Sequence, residues 1–276
     1  MISVLILTLN EEANLPRCLE AVRWSDDIVV FDSGSTDRTV EIAHAAGARV
    51  VTRPFDNERD HRTASLAVGF KYPWVFNPDA DEVPEPELVG EMQRVVADPA
   101  RTAVAYRVRF RNMFFGKWIR FSSLYPTWIV RLFRPDRLTF ERTINLRYCC
   151  DGPEGRLDGH LRHYSFNKGL HSWFEKHNRY STAEAEEAFA LAKSGQGVRW
   201  RDLFAGGSVA RRRALKELSF RMPFRPTLRF WYMYLVRLGF LDGTAGLMYC
   251  RLLAMYEAMM VYKMKELRRR ERGLPV

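Results

Sequence analysis

The 276-residue sequence predicts an α/β fold. A doubly wound domain is expected over residues 1–165, followed by an α-helical, basic extension over residues 166–276. Three observations lead there. Short apolar runs rich in branched residues alternate with helical stretches near the N-terminus, the pattern of strand–helix–strand units that build a parallel sheet. These runs end in polar turns, and in an open α/β sheet the turns at the strand carboxyl ends are where ligands bind. The composition then changes: between Arg199 and Arg229 there are nine Lys or Arg against two acids, Asp202 and Glu217.

Taken in order, Ile2–Leu7 reads as a buried parallel strand, followed by Thr8-Leu9-Asn10-Glu11-Glu12 and a helix from about Asn14 with Leu15, Leu19 and Val22 on one face. Ile28–Phe31 is a second strand. It ends in Asp32-Ser33-Gly34-Ser35-Thr36-Asp37, which supplies a carboxylate, flexible backbone and a Ser/Thr cap for a helix over Arg38–Ala46. Gly47 stops that helix, and Val50–Thr52 is a third strand. A further apolar helix is expected over Ala64–Phe70, with Arg59, His61 and Arg62 just before it, where a guanidinium meets either solvent or a diphosphate.

Residues 74–82, Trp-Val-Phe-Asn-Pro-Asp-Ala-Asp-Glu, are the most informative stretch. A buried strand at Trp74–Phe76 places Asp79, Asp81 and Glu82 in the turn at its carboxyl end. Carboxylates gathered there suit a hard divalent cation that keeps several waters and takes further ligands from phosphate. An isolated Asp-x-Asp is equally a solvated turn, and Asp32 or Asp37 alone is equally a cap. Their order along the chain sets them apart.

The second half opens with a helix over Glu85–Val96 and a strand over Ala103–Arg111, whose alternating Arg107, Arg109 and Arg111 predict one wet face. The aromatic and arginine residues from Trp118 to Arg134 suit sugar stacking, phosphate binding or amphipathic packing. Asp151–Gly159 reads as a glycine-rich turn, and a helix from about Leu170 to Ala192 carries Trp173, His177 and Tyr180 on one face. Its histidines read as packed rather than metal-bound.

The net charge of +10 and pI near 9.6 point to an anionic partner. No DNA- or RNA-reading motif accompanies the charge, so nucleic acid is set aside. Four cysteines without metal spacing fit a reducing compartment. The N-terminal apolar run is too short for a signal peptide, which predicts the cytoplasmic side. Phe230–Phe240 and Ala245–Tyr262 are too short or too interrupted for a membrane span, which takes roughly 20 apolar residues. They suit a helical hairpin at an anionic membrane surface or packing against the first domain or a second subunit, so a homo-oligomer stays open. The tail Lys263–Arg272 is expected to be solvated or disordered.

The set Thr8-Leu9-Asn10-Glu11-Glu12, Asp32-Ser33-Gly34-Ser35-Thr36-Asp37 and Asp79-Ala80-Asp81-Glu82 resembles the inverting family 2 glycosyltransferases of GT-A fold. The Trp118–Arg134 stretch is similar to one in bacterial transferases that build lipopolysaccharide core and exopolysaccharide, including a lipopolysaccharide-core β-1,4-glucosyltransferase. The resemblance implies a nucleotide-sugar donor, with Thr8, Asn10, Glu11 and Asp32 at uridine and Asp79 toward the diphosphate, the group that the Arg62 guanidinium meets if it does not face solvent. It implies Mg2+ or Mn2+ on Asp79 and Asp81 and a glycolipid or lipopolysaccharide acceptor, and the basic stretch with its apolar hairpin adds a peripheral position on the inner face of the cell membrane. In that subfamily a Glu that serves as general base follows the Arg-Leu-Phe-Arg segment. Here Ile144-Asn145-Leu146 stands at that place, with Leu146 where the Glu is expected. The base is then Glu141 or Asp158, or Asp81 or Glu82, or the protein binds nucleotide-sugar without efficient transfer. A basic membrane-binding module without catalysis is the remaining alternative.

Overall fold

The N-terminal run is apolar at nearly every position because the strand it forms is covered on both faces. Strand β1 (Ser3–Thr8) sends Val4 and Ile6 into one apolar cluster with Leu15, Cys18, Leu19 and Val22 of helix α1 (Leu15–Val22). Leu5 points the other way, into a second cluster with Val29 and Phe31 of β2 (Ile28–Asp32). Each of these side chains contributes roughly 1.5–3 kcal/mol by leaving water.

Residues 1–141, 146–193 and 224–276 are described by the computed structural model. Ile144 and Asn145, and the basic run from Arg199 to Arg221, lie outside the described residues. The chain divides into one unit of Met1–Trp118 with Leu124–Lys168 and another of Ile119–Ser123 with Gly169–Val276.

In the first unit, β3 (Arg49–Thr52), β2, β1 and β4 (Val75–Phe76) are parallel neighbours in that order. They are joined by α1, α2 (Thr39–Ala45) and α3 (Glu58–Leu66), which is the doubly wound half. The sheet continues through β8 (Trp128–Phe133), β6 (Ala105–Phe114), β11 (Glu154–His163) and β5 (Glu82–Pro84) in mixed orientation. The short β7 (Lys117–Trp118) pairs with the end of β6, and β9 (Leu138–Glu141) and β10 (Arg147–Cys150) form a separate hairpin. Helix α4 (Pro86–Ala97) packs on β11, where a Cβ added to Gly159 would lie 2.5 Å from the Leu88 Cα, so only glycine permits the approach. This is a GT-A-like α/β fold.

Four expectations need correction. Helix α3 starts at Glu58 rather than Ala64, because the Asn57 side chain accepts from the Asp60 N–H at 3.0 Å and caps it there. Helix α2 has no Ser or Thr cap; instead Asp37 accepts from the Thr39 N–H at 3.0 Å. Asp158 and Gly159 belong to strand β11, not to a turn; they lie at an irregular step of its ladder, between Arg156 and His160, where their N–H groups donate to the Glu91 carboxylate of α4 at 3.0 and 2.9 Å. The tail is helical to Glu271 rather than disordered, with residues 268–276 exposed.

In the second unit, α5 (Gly169–Lys193) packs against α7 (Gly243–Glu271). His177 stacks on Trp173 with centroids 3.7 Å apart and meets Tyr256 edge-on at 5.1 Å, a packed histidine. Lys263 donates to the Asn178 carbonyl at 2.6 Å and to Ser181 Oγ at 2.8 Å, which holds the α7 tail in helix. Helix α6 (Arg225–Trp231) runs on through a π-helical turn at Tyr232–Val236.

Candidate functional site

The site is built where β1, β2 and β4 end. Thr8 and Asp32 are register partners, and Thr8 Oγ1 donates to Asp32 Oδ1 at 2.9 Å. The buried Asp32 carboxylate also accepts from the Gly34 and Ser35 N–H groups at 2.9 and 2.8 Å and from Ser35 Oγ at 2.5 Å. Gly34 takes a φ of +93°, which the tight turn requires. Asn10, at φ +55°, is a residue type that tolerates this region, and its Oδ1 accepts from the Thr36 N–H at 2.8 Å. The Glu11 N–H donates to Thr39 Oγ1 at 2.7 Å, while its carboxylate accepts from Asn14 at 2.8 Å and Lys168 at 2.6 Å. Thr8, Asn10, Glu11 and Asp32 thus meet in one cross-braced double loop. Asp32 and Asn10 set its shape, and exposed backbone and side chains of the loop are left to contact a ligand.

The carboxylate turn joins the same edge through a parallel bridge between Leu7 and Asp79. Asn77 anchors it from below, donating from Nδ2 to the Leu5 carbonyl at 2.7 Å. The turn then divides its acids between different partners. Arg131 of β8, 1% exposed, donates from one Nη2 to both Asp79 and Glu82, the latter at 2.6 Å. Arg62, midway along α3 rather than ahead of it, donates to Asp79 Oδ1 at 3.4 Å and to Asn77 Oδ1 at 3.3 Å. Asp81 instead faces His163 at the end of β11, with Nε2 3.3 Å from Oδ2. The other His163 nitrogen lies 2.9 Å from Asn112 Oδ1, which orients the ring.

The electrostatics follow from that division. Burial alone would raise Asp79, but Arg131 and Arg62 hold its carboxyl well below the usual range. Burial, opposed by Arg131 and reinforced by the charge of Asp79, pushes Glu82 up to about 7. At His163 burial acts downward, and the hydrogen bond to Asp81 with the charges of Asp81, Glu82 and Asp79 outweighs it, leaving the imidazole raised.

Among the described residues no three His, Cys, Asp or Glu side chains converge as a ready-made metal cage. The Asp81–His163 pair nevertheless fits one side of an octahedral ion. Two ligands cis on a cation at about 2.1 Å sit about 3 Å apart, close to the observed separation. Water and phosphate complete such a shell for Mg2+ or Mn2+. Asp79 fits less well as a direct ligand, since both its oxygens already meet guanidinium groups.

Three further candidates remain, of which Glu82 belongs to this cluster through Arg131. Glu82 is 1% exposed, which separates it from any bulky acceptor. Asp158 is in β11, its side chain 95% exposed beside Arg109, five residues before His163 and so roughly 16 Å away along an extended strand. Glu141 ends β9, exposed and 3.6 Å from Arg147. Leu146 packs against the second apolar cluster. Arg131 and His163 are the residues that motif reading did not place here. A buried arginine in the apolar strand Trp-Ile-Val-Arg-Leu-Phe was the available signal, because such a charge must find a carboxylate.

Comparison with known proteins gives four findings. The model of glycosyl transferase family 2 matches residues 3–163. An uncharacterized glycosyltransferase of Rickettsia typhi is 30% identical over 209 residues, covering 71% of this chain and 69% of that one. The lipopolysaccharide core biosynthesis glycosyltransferase LpsC of Rhizobium meliloti is 28% identical over 203 residues, covering 70% and 73%. Among solved structures, glucosyl-3-phosphoglycerate synthase from Mycobacterium tuberculosis, crystallised with Mg2+ and UDP, is 28% identical with a TM-score of 0.35. That overlap spans 40% of this chain and 44% of the synthase.

Proposed function

The chain belongs to glycosyl transferase family 2, and from that premise we propose that it moves a hexose, with inversion, from a nucleotide diphosphosugar to a saccharide acceptor. The donor proposed is a UDP-sugar. The acceptor proposed is a lipid-linked or lipopolysaccharide-core saccharide, presented at the inner face of an anionic membrane; the similarity to LpsC supports that class.

The observation that carries the reading is the convergence at one sheet edge of the cross-braced loops after β1 and β2 with the Asp81–His163 pair. The double loop offers a pre-shaped seat for a nucleoside. Arg62 places a cation beside Asp79, where a diphosphate would arrive. Arg131 fixes Asp79 and Glu82 so that Asp81, between them in sequence, is presented to His163. Asp81 and His163 would hold Mg2+ or Mn2+, which supplies charge neutralisation for the departing nucleoside diphosphate. Inversion requires a base at the acceptor hydroxyl. Glu141 leads into residues 142–145 and is the candidate from the subfamily's expected region.

The test is calorimetric titration with UDP and UDP-glucose, with and without Mn2+, on wild type and Asp81→Ala. Metal-dependent binding that the variant loses supports the assignment. Absence of binding in folded wild type with metal present overturns the UDP-sugar donor. The packing of Leu146 against the core favours a second reading, donor binding without efficient transfer. Tight UDP-sugar binding with no turnover on any lipid-linked saccharide would select it.

A further inference from the structure

The second unit carries an apolar stripe turned outward. From Phe224 through α6 and the π-helical turn, the large apolar residues exposed to solvent are Phe224, Leu228, Trp231, Tyr232, Leu235 and Val236. Their spacing of three, four, seven and eight residues is that of a single helix face. In a water-soluble packing that face is the buried one; here Val236 is 69% exposed and Phe224 77%. Leu238, Phe240 and Leu241 extend the exposed apolar run into the following turn. Soluble monomers rarely leave such a contiguous patch uncovered unless it meets a partner.

Charge identifies the partner. Residues 169–276 hold 20 Lys and Arg against 10 Asp and Glu, so the whole formal excess of +10 resides there, while residues 1–168 are balanced. An apolar stripe bearing Trp and Tyr, on a segment that carries all the net positive charge of the chain, is complementary to a surface that is anionic outside and apolar beneath. No described helix is long and apolar enough to cross a membrane, which fits a helix lying in the interface plane. We infer that the face formed by Leu228, Trp231, Tyr232, Leu235 and Val236 inserts into the headgroup boundary of an anionic lipid bilayer. The inference deepens the proposed function by locating the membrane contact. It rests on that reading only for its purpose, to bring the domain to a lipid-borne acceptor.

Vesicle co-sedimentation of the full chain tests it without donor or acceptor, so it can fail while nucleotide binding stands. Vesicles of equimolar phosphatidylcholine and phosphatidylglycerol are compared with phosphatidylcholine alone, for wild type and for Leu235→Asp/Val236→Asp. Wild type is expected to partition to the anionic vesicles and to retain part of its binding in high salt. The double variant, with an unchanged melting transition, is expected to partition at least about tenfold more weakly, because two side chains no longer leave water. Val236→Ser, a milder change at an exposed position, is expected to weaken partitioning in the same direction. Binding that vanishes in salt and ignores both variants would overturn the inference in favour of charge alone. So would failure of wild type to bind vesicles, or a dimer in light scattering that the double variant dissolves, which would make the stripe a contact between copies of the chain.

Discussion

Arg131→Met removes the guanidinium that two acids share and leaves both carboxylates in place. Glu82 is 1% exposed and Asp79, at 37% for its side chain, is partly screened by water, so Glu82 carries most of the penalty. Deleting one partner of a buried pair costs about 3–5 kcal/mol because a charge is left buried and unpaired. For a chain of this size that corresponds to a melting temperature lower by roughly 6–20 °C. The deficit depends on pH with a definite sign. Glu82 already sits at about 7 in the folded protein, above its unfolded value, and loss of Arg131 raises it further. A carboxyl raised on folding costs nothing below its unfolded pKa, where both states are protonated, and its full penalty appears above the folded pKa. Thermal denaturation of the variant should therefore show a deficit that grows from pH 4.5 to above about pH 7, the part owed to Asp79 remaining at pH 4.5 because that acid is held ionised there. Adding Asp79→Asn and Glu82→Gln to Arg131→Met should recover most of the loss, since no unpaired charge then remains. A variant within about 1 kcal/mol of wild type at pH 8, or a deficit that does not vary with pH, would refute the account of the cluster.

Other outcomes follow from the same geometry. Asn112→Ala, which removes only the group that orients the ring, should weaken Mn2+ binding by about 10–100-fold in calorimetry, and His163→Ala should weaken it more. Because the His163 imidazole is raised and a metal needs it neutral, wild-type Mn2+ affinity should increase as pH rises from 6 to 8. Gly159→Ala drives a Cβ into the Leu88 backbone and should cost about 1–3 kcal/mol in urea denaturation with UDP binding unchanged. Burial, with the charges of Glu82, Asp81 and Asp79, pushes the Cys18 thiol well up, so native protein should leave Cys18 unmodified by a thiol reagent that labels it after unfolding.

Much of this protein is determined by local pattern. The apolar runs of β1 and β2, the Asn14 helix start and the Asp32–Asp37 turn are legible because strand burial, helix periodicity and turn chemistry are properties of neighbouring residues. So is the convergence of the three acidic or amide-bearing loops, since parallel strands joined by right-handed crossovers bring their carboxyl ends to one edge. Local pattern also misplaced what it had no means to weigh. The capping bond at Asn57 moved α3 forward by six residues, and the Glu91 carboxylate, 67 and 68 residues away, takes the Asp158 and Gly159 N–H groups within β11. Which partner each acid takes was settled only by tertiary structure. Arg131 lies 52 residues from Asp79 and His163 lies 82 residues from Asp81, separations at which sequence carries no register. Only the packing of β8 and β11 beside the carboxylate turn assigns one acid to two guanidiniums and the other to an imidazole. Coulomb energy falls with distance in space, and distance in space is what the folded sheet sets.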